Sequence, residues 1–180
     1  MRLFAGIALP AAQRDHLASA LEMVRPPAHA ARNPWEPSAN WHVTLGFYGE
    51  QPDGMMDELA DNLRLAAART APFTLALAGA GLFRHDVGWI GVTDPARALG
   101  PLAERVRGTY ATLYQSTQNR FHVTVTRAGR QAGLAPTLAA LAVYRGPEWT
   151  VGEITLFRSD LHEGIGGHPR YTVLATAQLA

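Results

Sequence analysis

HVTLGFYGE at 42–50 and HVTVTR at 122–127 spell His-Val-Thr-apolar twice, 80 residues apart. A shuffled chain with 7 His, 10 Val and 14 Thr among 180 residues would hold about 0.03 His-Val-Thr triplets. Two copies therefore need a structural cause. Side chains alternate along a strand. His42 and Thr44 share one face while Val43 and Leu45 point to the other, and His122 and Thr124 are likewise separated from Val123 and Val125. If the apolar faces pack on helices, the His/Thr faces are left to line a cleft.

Working outward, the same order of elements recurs. RLFAGIAL (2–9) reads as a strand, and Pro10 opens a helix with Leu17 and Leu21 on its buried face. A Pro-rich loop covers 25–40, and the first motif is a strand ending at Gly49. Asp53 reads as the N-cap of a helix to about Arg69, with Leu59, Leu63 and Ala67 inside. Strands follow at 73–83 and 87–92, joined near His85-Asp86. Asp94-Pro95 opens a helix to about Tyr114, FHVTVT is a strand, and 133–143 suggests a short helix. WTVGEITLF (149–157) and RYTVLATA (170–177) are the last strands, joined by the Gly-rich loop SDLHEGIGGHP. LFAGIALPAAQRDHL (3–17) parallels WIGVTDPARALGPL (89–102), so the two halves are offset by about 80–86 residues. Only two copies are present, at a period too long for a solenoid. The expectation is one α+β domain over 1–180, bilobal and pseudo-two-fold, with two antiparallel sheets facing a central cleft and helices outside.

Composition narrows the function. With 47% apolar and 17% charged residues the chain is globular, and a net charge of +1 excludes a global basic field for non-specific nucleic-acid binding. All 16 basic residues are Arg, which genomic codon bias explains more readily than function. Arg suits bidentate phosphate contacts, so local placement matters more than the total. The absence of Cys excludes disulfides, thiolate catalysis and Cys-based metal sites. The start, MRLFAGIALPAAQRDH, imitates a signal peptide, but its apolar run is short and Pro10 interrupts it. No stretch approaches the ~20 apolar residues of a membrane span. A cytoplasmic monomer with no membrane partner is expected.

The doubled motif suits phosphoryl chemistry. Imidazole titrates near neutrality, so of two His one can be neutral and the other protonated. In-line displacement at phosphorus needs a base on the attacking oxygen and an acid on the departing one. Thr hydroxyls can hold the non-bridging oxygens where charge gathers. Such a pair gives a bell-shaped kcat/KM profile with limbs expected between roughly pH 5 and 8.5. His16 and His29 read as surface positions, and His85, His162 and His168 lie in turns without zinc-ligand spacing. Ser159 lacks a nucleophile-elbow context. No metal and no cofactor is expected.

The paired motifs resemble the two HxTx motifs of the two-histidine (2H) phosphoesterase superfamily. RLFAGIALP, WHVTLGFYGE, GLF followed by WIGV, FHVTVTR, and ITLFRSDL leading to YTVLATAQL make the chain similar to its RNA 2′,3′-cyclic phosphodiesterases, also called 2′-5′ RNA ligase-like proteins. The resemblance implies a metal-free enzyme that opens RNA 2′,3′-cyclic phosphate ends and leaves a 2′-phosphate. It makes His42 the proton donor and His122 the acceptor that activates water, with Thr44 and Thr124 on the phosphate. Ligation would be the reverse reaction, and water at about 55 M favours hydrolysis unless a second RNA end is held in place.

Two positions depart from the family pattern. Gly46 stands where a basic residue often follows the first motif, and Phe121 stands where Pro often precedes the second His. Arg127 matches the family's Arg after the second motif, yet strict alternation puts it on the face opposite His122. It reaches a phosphate only if the strand bends or ends there; otherwise it is a surface Arg. Arg120 and Arg130 are weaker phosphate candidates. Trp35, Trp41 and Phe121 flank the expected cleft as candidates to stack a base, with core packing the plainer alternative. Other superfamily substrates, ADP-ribose cyclic phosphate or 2′-5′ oligoadenylate, form a second reading. A non-catalytic RNA-end-binding module is the third, and a matched acid and base argues against it.

Overall fold

The apolar runs become strands because each can bury one face. Strands β1 (Arg2–Ala8), β2 (His42–Glu50), β3 (Phe73–Phe83), β4 (Val87–Thr93), β5 (His122–Thr126), β6 (Trp149–Val151), β7 (Glu153–Asp160) and β8 (Arg170–Gln178) are interspersed, among the described residues, with four α-helices. These are α1 (Ala11–Met23), α2 (Met55–Ala67), α3 (Leu99–Arg107) and α4 (Ala135–Ala140). The computed structural model describes residues 1–24, 35–83, 86–110, 120–127 and 133–180. His29, His85, Tyr114 and Arg130 lie outside the described residues.

The strands pair in the order β6-β3-β4-β5-β2-β1-β7-β8, all antiparallel. In place of two separate sheets there is one curled, connected sheet. Among the described residues, the ladder that joins its halves is the pair Val43–Val123 of β2 and β5. The contact is short because both strands bulge two residues beyond it. Gly6 faces Thr44 while Ala5 faces Gly46, leaving Leu45 extra in β2. Trp89 faces Thr124 while Gly88 faces Thr126, leaving Val125 extra in β5. A bulge bends its strand and sharpens the twist, so the strands diverge.

The repeated order of elements carries through. The chain runs β1-α1-β2-α2-β3 and then β4-α3-β5-α4, with β6 and β7 after it. The late strand of each run crosses over: β3 pairs with β4, and β7 pairs with β1. WTVGEITLF, expected as one strand, divides for this reason. Trp149–Val151 pairs with β3, Glu153 onward pairs with β8 and then β1, and the chain passes between the two halves at Gly152.

Helices cover the apolar face. Val43, Leu45, Val123 and Val125 are fully buried. Helices α2 and α3 pack on each other, α3 lies on β2, α2 lies on β7 and β8, and α4 lies on β3. Two helix starts differ from expectation. Gly54, not Asp53, precedes α2, and Asp53 instead approaches the N-terminal amine at 4.0 Å. Helix α3 begins only at Leu99, whose N–H donates to Asp94 Oδ2 at 2.8 Å, so Asp94 anchors the helix from five residues upstream. It stops at Gly108, whose φ of 47° suits glycine. Trp35 and Trp41 are core residues, and Phe121 is half-buried against the core. No helix among the described residues is long and apolar enough to cross a membrane.

Candidate active site

Four polar side chains surround the Val43–Val123 pair. Continuing its antiparallel register by one residue sets His42 beside Thr124 and Thr44 beside His122. All four are half-buried, whereas the intervening valines are fully buried. The sheet thus brings the two motifs together, edge to edge, on one face.

Each imidazole is oriented in the same way. His42 Nδ1 lies 2.7 Å from Asn40 O, and His122 Nδ1 lies 2.8 Å from Arg120 O. A carbonyl oxygen only accepts, so each Nδ1 carries the proton. In the neutral ring Nε2 then keeps a lone pair. The carbonyl in both cases belongs to the residue two positions upstream, so the local backbone sets the tautomer.

The surroundings of the two rings differ. Phe4 packs on His42 with ring centroids 4.6 Å apart, and Tyr171 meets it edge-on at 5.3 Å. Phe157 backs Phe4 at 4.9 Å. His122 has Phe83 edge-on at 4.9 Å, and Phe83 stacks on Trp89 at 5.3 Å. Burial dominates the titration of both. It lowers His42 from 6.5 to about 4, against the Asn40 carbonyl, which favours the cation; the charges of Arg127 and His122 lower it further. Burial also lowers His122, opposed by the Arg120 carbonyl and reinforced by Arg127. In the free protein burial therefore disfavours the cation at both rings.

The bulge at Val125 decides where Arg127 points. Val125 and Thr126 both face inward, and the Thr126 methyl sits close to Gly88 and to Leu138 of α4. Alternation slips by one, and Arg127 falls on the face of His122 and Thr124. There its charge reaches both imidazoles. It is exposed, lies close enough to Tyr171 to favour the phenolate against the burial that raises that group, and ion-pairs through Nε with Oε1 of Glu36 at 3.2 Å. The matching bulge at Leu45 turns Gly46 toward α3, where a Cβ would lie 3.3 Å from Arg107 Cγ. A side chain at 46 would thus meet α3 rather than the histidines. Of the weaker candidates, Arg120 lies 5.0 Å above the Trp89 ring.

Sequence reasoning missed Glu36, Asn40, Phe4, Phe83, Trp89, Phe157 and Tyr171. Only the strand alternation of Phe4 and Tyr171 offered any signal. His16 hydrogen-bonds Tyr144 Oη at 2.9 Å on the helix side, and His168 pairs with Glu36 at 3.1 Å. Among the described residues no three His, Asp or Glu side chains cluster as metal ligands.

Residues 7–89 match the model of the LigT like Phosphoesterase family. An RNA 2′,3′-cyclic phosphodiesterase of Escherichia coli is 35% identical over 96% of this chain and 93% of its own length. The chain belongs to the LigT-like phosphoesterase family. An RNA 2′,3′-cyclic phosphodiesterase of Geobacillus stearothermophilus is 31% identical over 81% of this chain but 47% of its own, so the chain spans about half of that relative. The crystal structure of E. coli LigT complexed with 3′-AMP superposes with a TM-score of 0.74 and 28% identity, covering 99% of this chain and 98% of that one. The antiparallel sheet and its helices thus follow the fold of E. coli LigT over nearly the whole of both chains.

Proposed function

We propose that the protein hydrolyses RNA 2′,3′-cyclic phosphate ends to 2′-phosphates, using His42 and His122 as an acid–base pair. The observation that carries this is the convergence of two identically oriented imidazoles and two Thr hydroxyls around one residue pair. The names of the relatives and the 3′-AMP held by E. coli LigT support the same substrate class. His122 takes a proton from water, and the oxygen attacks phosphorus in line with O3′. The P–O3′ bond breaks, and O3′ takes the proton of His42. Thr44, Thr124 and Arg127 hold the non-bridging oxygens, where negative charge gathers. The divergent halves of the sheet act as two lobes related by an approximate two-fold axis, with the substrate between them. Both motifs lie in one chain, so a monomer suffices.

A dinucleotide 2′,3′-cyclic phosphate tests the reading. The expected product, followed by phosphorus NMR, is the 2′-phosphate alone, formed equally well in EDTA. The site is asymmetric, with Gly6 opposite Thr44 but Trp89 opposite Thr124, so the ring binds in one orientation. A 3′-phosphate would reverse that orientation. Activity lost to EDTA and restored by a divalent ion would replace the mechanism with a metal-assisted one.

The pH profile is expected to lie lower than the sequence alone suggests. Two coupled imidazoles share one proton in the active form, and the limbs belong to the pair. The acid limb marks protonation of the base and the alkaline limb loss of the acid's proton. With His42 at about 4 and His122 below 6.5, kcat/KM is expected to peak below pH 6.5. Its acid limb falls below the roughly pH 5 set by unperturbed imidazoles, because burial disfavours both cations. Bound phosphate carries negative charge, which favours the cations, so the kcat profile lies at higher pH. Steady-state kinetics from about pH 3.5 to 9 checks both statements. A kcat/KM maximum above pH 7 contradicts them.

A further inference from the structure

We propose that Glu36 is a positioning residue, which holds the Arg127 guanidinium on the His/Thr face so that it meets the substrate phosphate. The inference rests on the cyclic-phosphate reading and names a residue that lies outside both motifs.

Glu36 grips β5 twice. Its backbone N–H donates to the carbonyl of Val125 at 2.8 Å. Val125 is the bulged residue that turns Arg127 toward the histidines. The Glu36 side chain ion-pairs through Oε1 with Arg127 Nε at 3.2 Å, a charge contact without a hydrogen bond, and hydrogen-bonds His168 Nδ1 through Oε2 at 3.1 Å. The carboxylate is only 5% exposed while Arg127 is 53% exposed. The anion is thus the fixed partner and the cation the one that reaches outward. A buried carboxylate requires its cations, so Arg127 is not free to swing into solvent. A guanidinium has five N–H donors. Nε–H faces Glu36, which leaves the outer N–H groups for a phosphate oxygen.

Glu36 sits one turn before the residue that orients His42. The 3-10 turn Ser38–Asn40 follows it, the Asn40 carbonyl meets His42 Nδ1, and the Asn40 side chain donates to Pro169 O at 2.8 Å. The segment 36–40 therefore braces Arg127 from the second motif and His42 from the first against the same β7–β8 loop, at His168 and Pro169.

A purely structural Glu36 would staple this segment to β5 and affect activity through folding alone. A double-mutant cycle separates the two roles. The set is wild type, E36Q, E36A, R127A, E36Q/R127A and E36A/R127A, assayed for kcat and KM on a dinucleotide cyclic phosphate. R127A and E36A are each expected to lower kcat/KM ~10-fold or more, since each removes or misaims a charge-assisted hydrogen bond. E36Q is expected to lose nearly as much as E36A, because Oε1 holds Nε through charge and not through a hydrogen bond, and the neutral amide lacks that charge. In the R127A background neither Glu36 variant costs more than about twofold, because the group that Glu36 aims is gone. The proposal is overturned by wild-type kcat/KM in R127A or E36A, or by equal losses from Glu36 variants in both backgrounds. If E36A does not fold, E36Q with and without R127A makes the same comparison. A wild-type protein inert toward the substrate would sink the functional reading instead. Titration with inorganic phosphate, read by phosphorus NMR, then tests the Glu36–Arg127 coupling without turnover.

Discussion

Replacing His42 or His122 by Ala is expected to lower kcat by ~10²-fold or more while the protein stays folded, because each change removes one of two positioned proton transfers. Folding survives because the two strands are held from the other side. Val43, Leu45, Val123 and Val125 are fully buried, and the β1–β2 ladder runs from Arg2 through Ala8 without depending on the imidazoles. His42→Ala is the costlier of the two for stability, since its ring packs between Phe4 and Tyr171, whereas His122 touches Phe83 edge-on. The two losses are strongly non-additive. Once one proton transfer is gone the other no longer completes an in-line displacement, so the double variant falls little below the worse single one. Turnover of a dinucleotide cyclic phosphate, with circular dichroism melting on the same samples, measures both effects. A single variant that keeps more than about a tenth of wild-type kcat would remove that histidine from proton transfer.

Much of this site could be read from alternation alone. His42, Thr44, His122 and Thr124 share a face because period-2 patterning is a local property, and the recurrent order of elements followed from it. The position of Arg127 was not legible. It depends on one extra residue at Val125, and a valine in a β-bulge is compositionally no different from a valine in a regular strand. The same holds at Leu45, whose bulge turned Gly46 away from the site. Glu36 lay in a Pro-rich loop without periodicity, and its partners Arg127 and His168 are distant in sequence. The pKa shifts escaped for a related reason. The rings that bury His42 come from β1, β7 and β8, and only the sheet order brings those strands together. The break of WTVGEITLF at Gly152 was hidden because both pieces are apolar. What separates them is a change of partner strand, not a change of composition.

Gly6→Val is expected to damage the site from a residue that carries no functional group. Gly6 lies opposite Thr44 on β1, and a Cβ built there would stand 2.8 Å from the Val43 carbonyl oxygen and 3.3 Å from His42 Cδ2. The first contact is with backbone, which cannot rotate away, so β1 and β2 must separate next to the motif. The second presses on the His42 ring and works against its 2.7 Å bond to Asn40. Overpacking of this kind costs about 1–3 kcal/mol of stability, and displacing a reacting group by about 1 Å can cost ~10²-fold in rate. The expected result is a lowered Tm together with a ~10²-fold fall in kcat/KM, much larger than the stability loss predicts at a temperature where the variant is folded. Gly100→Ala is the control: a Cβ there meets no described atom within 4 Å, and Ala favours helix α3 by up to about 1 kcal/mol. That variant should keep wild-type kcat/KM with an equal or higher Tm. A Gly6→Val enzyme as active as wild type would show that β1 can move away from β2 without disturbing His42, and that the Asn40 carbonyl alone holds the ring in place.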